Sequence, residues 1–124
     1  MRSMRFAGFL AVILTIVATF AVAGQNQFGV ADTYTVTFSD PVRVADTLLP
    51  KGDYEIRHTM EGPDHIMVFK QLGTRIPVEV KAKCTLVTLP QKASSSQKIY
   101  AVNAANERVL RELIFKGDKA KHVF

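Results

Sequence analysis

One cysteine, three histidines and no tryptophan in 124 residues leave few of the side chains on which enzymes are usually built. A lone Cys84 cannot close an internal disulfide, so any fold must be held by its core. The chain has no H-E-x-x-H, no G-x-S-x-G, no phosphate-cradling glycine loop and no C-x-x-C. Triads assemble in space, so three histidines and scattered serines leave that route open. The carboxylates, however, do not pair: Asp118 falls in a turn signal and Asp53 opens an apolar alternation. No enzyme is expected. A concentrated basic face is lacking too. The formal charge of +5 is spread along the chain and drops to about +3 without Arg2 and Arg5. Nucleic acid is therefore not an expected partner.

Long apolar runs are confined to the N-terminus. Arg2 and Arg5 precede an apolar stretch from Phe6 to Ala23 that ends in Ala21-Val22-Ala23. A positive n-region, an apolar h-region and small residues at −1 and −3 predict a signal peptide over 1–23, cut after Ala23. The stretch is 18 residues, just long enough to span a bilayer, so a retained anchor is the alternative. Either way the expectation is an exported chain, periplasmic or extracellular, that meets the membrane only if this segment is kept. Residues 24–32 read as a flexible lead-in, and 33–124 as one domain.

Within that domain the dominant period is two. Tyr34, Val36 and Phe38 alternate with threonines, and Ser39-Asp40-Pro41 stops the strand. Val42 and Val44 predict a short strand, Asp53–Met60 a third and His65–Lys70 a fourth, around Glu61-Gly62-Pro63-Asp64. Arg75–Thr88 alternates for 14 residues, with Ile76, Val78, Val80, Ala82, Cys84 and Leu86 on one face. Lys81 and Lys83 lie on the other, as a solvated face or a contact for an anion. Cys84 reads as a small buried apolar side chain. Leu89–Gln97 reads as a mobile loop, and Ile99, Tyr100 and Val102 as a sixth strand. Glu107–Phe115 is ambiguous: Val109, Leu110, Leu113 and Ile114 suit a helix, whereas Val109, Leu113 and Phe115 suit a strand. Its neighbours favour the strand, with a short terminal strand near His122–Phe124. About seven short strands predict an all-β, antiparallel β-sandwich after the N-terminal signal helix.

The most patterned stretch is Thr47-Leu48-Leu49-Pro50-Lys51-Gly52-Asp53-Tyr54-Glu55-Ile56. Pro50 suits the first turn position, Gly52 can take positive φ, and Tyr54 begins the next alternation. With Pro41-Val42-Arg43-Val44 upstream, it resembles small secreted bacterial β-sandwich proteins that carry a P-V-x-V … L-P-x-G-x-Y signature and mostly lack an assigned function. The turn is also similar to one in prealbumin-like and Cna-B-like modules. The resemblance implies a fold rather than an activity, and makes Pro50, Gly52 and Tyr54 structural.

One cluster resembles a site. Period two puts His58 and Met60 on one face of the third strand, and His65 and Met67 on one face of the fourth. Pairing across the turn keeps all four together. Imidazole and thioether suit copper, which makes a periplasmic metal binder the alternative reading. Tyr54, Ile56 and Phe69 share that face and mark it as core, so the leading expectation has no cofactor. It is a non-catalytic binding or structural module of the cell envelope, whose partner is an unidentified protein or envelope component met through loops or a sheet edge.

Overall fold

The computed structural model describes residues 28–124, and the signal segment 1–23 expected from the sequence lies outside them. The described residues contain strands and no helix. Nine strands run in order: β1 Thr33–Phe38, β2 Val42–Val44, β3 Thr47–Leu49, β4 Gly52–Glu61, β5 Asp64–Gln71, β6 Glu79–Thr88, β7 Gln97–Val102, β8 Arg108–Ile114 and β9 Ala120–Val123. They hydrogen-bond into one sheet ordered β1-β4-β5-β6-β9-β8-β2-β3, with β7 on β8.

One strand arises where the sequence signal is thin. Thr47–Leu49, read as part of a turn, pairs with β2 as a three-residue strand. The expectation of a purely antiparallel sheet is corrected as well, because β2 runs parallel to β8, Val42 opposite Arg108 and Arg43 opposite Val109. A fork from Arg43 to Glu107, with Nε–Oε1 2.8 Å and Nη2–Oε2 3.0 Å, ties these strands at their start.

Residues 107–115 form a strand, and the geometry explains their helix-like spacing. Along the β7–β8 ladder Ile99 faces Glu112 while Tyr100 faces Leu110, so Arg111 is the extra residue of a β-bulge. The bulge turns Leu110 and Leu113, three apart, onto the same buried side. The spare Arg111 carbonyl accepts from Phe124 N at 2.9 Å.

Strand β6 starts at Glu79, later than the alternation predicts, and Ile76 is 83% exposed in the preceding segment. Lys81 and Lys83 lie on the solvent face and reach Glu61 at 2.7 Å and Asp64 at 3.4 Å. These are exposed pairs of little energetic weight. The loop 89–96, expected to be mobile, is held at Leu89 N to Lys119 O and Ala93 N to Asp118 O. The lead-in is anchored too over its described part: Val30 is fully buried and Lys119 N donates to Gly29 O at 2.8 Å.

The core gathers Phe38, Tyr54, Ile56, Met67, Phe69, Ala82 and Cys84 from β1, β4, β5 and β6 against Val42, Val44, Leu49, Leu110, Leu113 and Phe115. Tyr54 fills its centre while its hydroxyl donates to Pro50 O at 2.6 Å, closing the turn ahead of its own strand. Gly52, at φ +142°, makes that turn possible. Nothing lies within 4 Å of where a Cβ at Gly52 would stand, so a side chain there meets a backbone penalty and no clash. Ala45, in the β2–β3 turn, carries φ +55° without being glycine.

Two substitutions with opposite signs follow. Gly52→Val is expected to cost about 1 kcal/mol or more, and Ala45→Gly to stabilise by up to about 1 kcal/mol. Urea melts of the two variants against the parent measure both.

Candidate functional site

Strand β6 changes partner along its length. Glu79–Cys84 pairs with β5, and Thr85–Thr88 pairs with β9. The inward side chain at the changeover is Cys84, and β9 brings His122 up beside it, Cys84 Sγ to His122 Nδ1 3.8 Å. From β4, His58 points into the same space. One donor atom each from His58, Cys84 and His122 lies within 4.8 Å of the others, and all three residues are buried.

The β4–β5 hairpin sets the rest. Its register places Met60 opposite His65 and His58 opposite Met67, around Gly62 at φ +61°. All four residues expected from the sequence therefore stand on one face, at different depths. Met67 is fully buried and His58 6% exposed, whereas Met60 is 39% exposed at the hairpin end. His58 Nε2 and His65 Nδ1 are 3.1 Å apart. Phe28 caps this pair edge-on, 4.7 Å from the His65 ring and 6.2 Å from His58. A cleft of about 560 Å³, lined by Phe28, Asp32, Arg57, His58 and Met60 among others, opens beside it.

His122 is held from its far side. Its Nε2 is 3.4 Å from Tyr34 Oη, which donates to Asp118 Oδ2 at 2.5 Å and accepts from Ala31 N at 2.9 Å. With Nε2 carrying the hydrogen toward Tyr34, Nδ1 presents a lone pair to Cys84. Tyr34 itself is stacked on Phe115 with centroids 3.7 Å apart. A line of polar groups, Asp118–Tyr34–His122–Cys84, thus crosses an otherwise apolar interior.

Burial sets the protonation of this line. It pulls His122 down to about 3 and also lowers His58, with neighbouring histidines adding to both shifts. It pushes the Cys84 thiol up to about 11 and raises Asp118 and Tyr34. Around neutral pH both buried imidazoles are uncharged and Cys84 is a thiol. This is not an activated nucleophile, since thiolate character is what makes a cysteine attack.

The sequence places His58 and His65 on one face of the hairpin and reads Cys84 as a buried core side chain, as it is, but it brings neither Cys84 nor His122 to His58. The one signal pointing to Cys84 is its place on the same alternation as the core. His122 carries none, because β9 reaches it only through the sheet order. In comparison with known proteins, no family model, no curated protein and no solved structure matches the chain.

The sign of the pH dependence follows. A histidine whose folded pKa is depressed binds its proton better when unfolded, so stability present above about 6.5 is lost as pH falls toward about 3. Asp118, raised from 3.8, opposes this only near its own range. Cys84 adds a loss above about 9, where the unfolded thiol ionises first. Thermal melts from pH 7 to 5 are expected to show a falling midpoint, and His122→Gln should flatten that slope.

Proposed function

We propose that this chain is an exported, non-catalytic β-sandwich module of the cell envelope that works by binding. The observation that carries the reading is the state of its polar cluster. The residues with acid–base or nucleophilic capacity that come together, Cys84, His58, His122, Tyr34 and Asp118, are buried or half-buried, with Cys84 held as a thiol. That is a donor set enclosed by packing, suited to holding something rather than to turning over a substrate.

The sandwich arrangement is supported by contacts between strands that do not pair. Tyr34 of β1 stacks on Phe115 beyond β8, Phe69 of β5 meets Phe124 at 5.9 Å, and Lys98 Nζ of β7 donates to Thr37 O at 3.0 Å. These bring the β1-β4-β5 side over the β8 side, as two packed layers would. The resemblance to secreted bacterial proteins with the L-P-x-G-x-Y signature agrees with this fold. It gains support from Tyr54 closing onto Pro50. Export rests on Arg2, Arg5, the apolar run and Ala21-Val22-Ala23. Partners would meet loops or an open sheet edge.

Fractionation of expressing cells followed by intact-mass analysis tests the reading. The expected species lies outside the cytosol and begins at Gly24. A full-length mass in the membrane would favour the retained anchor, and a full-length cytosolic protein would sink the envelope assignment.

A further inference from the structure

We propose that His58, Cys84 and His122 form a binding site for one copper ion in the Cu(I) state. The proposal deepens the binding-module reading and rests on it for the place where copper is met. The donors differ from the His/Met face that the sequence suggests: Cys84 and His122 come from β6 and β9, and only His58 is shared.

Geometry carries the argument. Three donors at about 2.0–2.3 Å from a metal in a trigonal plane stand about 3.7 Å apart. The Cys84 Sγ–His122 Nδ1 separation is already 3.8 Å, and no pair in the triangle exceeds 4.8 Å. A closure of about 1 Å, within the reach of side-chain rotation, completes the plane. His122 presents Nδ1 to Cys84 while its other ring nitrogen lies against Tyr34 Oη. That is the arrangement by which outer partners fix a ligand imidazole.

Charge and softness select the ion. Thiolate with imidazole suits Cu(I) and Zn(II). A Cu(I) ion with one thiolate and two neutral imidazoles has no net charge and suits a buried pocket. Zn(II) would leave one positive charge there and seek a fourth ligand. Among the described residues the triangle contains three donors, and His65 stands outside it beside His58. On binding, the Cys84 S–H bond breaks, its proton leaves to solvent and the sulfur lone pair forms the S–Cu bond. No electron is transferred, since copper arrives as Cu(I). Of the three donors, His58 also lines the cleft beside Phe28 and Met60, which is the side from which an ion would reach the site.

The test is titration of residues 24–124 with Cu(I) against a chromophoric chelator under reducing, anaerobic conditions. One equivalent is expected to bind, with thiolate-to-copper charge-transfer absorption in the ultraviolet. Cys84→Ala, a small replacement that preserves packing, is expected to weaken binding by more than about 100-fold, beyond the loss of an outer partner. Met67→Leu should leave it unchanged. Protection of Cys84 from alkylation by one equivalent of copper gives a readout on the unaltered domain, should a variant unfold. Absence of stoichiometric binding, binding that survives Cys84→Ala, or preference for Zn(II) in direct competition would each overturn the proposal. None of these bears on where the chain resides, so fractionation and titration fail independently.

Discussion

The change of partner along β6 is the constraint on which the rest of the structure hangs. A ten-residue strand that pairs with β5 up to Cys84 and with β9 from Thr85 must serve two parts of the sheet at once. Everything inward of that changeover has to be packed from both sides, by β4 and β5 on one hand and by β8 and β9 on the other. The bulge at Arg111 then lets β8 present both Leu110 and Leu113 to the same interior. Without a disulfide, this convergence of apolar side chains is the main source of cohesion, as burial of such groups contributes on the order of 2 kcal/mol each.

The interior so formed is not wholly apolar. His122 is fully buried and His58 and Asp118 nearly so. An unpaired polar group in such surroundings costs about 1–3 kcal/mol, so the partners matter. Tyr34 connects Asp118 to His122, and His65 engages His58. The thiol of Cys84, a weak hydrogen-bonding group, borders this line with little desolvation cost of its own. A polar line kept inside a core against that cost is where binding chemistry is to be sought.

Much of the fold is legible residue by residue. The Tyr34–Phe38 alternation, the hairpin around Gly62-Pro63 and the Pro50-x-Gly52-x-Tyr54 turn all follow from local rules, because period two and turn chemistry act over a few residues. Glu107–Phe115 shows where local rules blur: the extra residue of a bulge produces the i, i+3 spacing of a helix. Ile76 shows the converse, an apolar residue in register with a strand that starts three residues later. The parallel contact of β2 with β8 is invisible locally, because it joins residues more than sixty positions apart.

The candidate site divides in the same way. Sequence alone pointed to a shared face for His58, Met60, His65 and Met67, because the two turns that suit Glu61-Gly62-Pro63-Asp64 differ in register by an even number of residues. It also determined the all-β character and the scarcity of reactive groups. Depth was decided only by tertiary structure, which buries Met67 and leaves Met60 at the rim. So was the meeting of His58 with Cys84 and His122, residues from three strands that are not consecutive in the chain. Hairpin neighbours are set by a turn of two residues, whereas β9 finds β6 and β8 only when the whole core closes. That is why the shared face of His58 and its hairpin neighbours follows from the chain, whereas the approach of His58 to Cys84 and His122 follows from the closed fold.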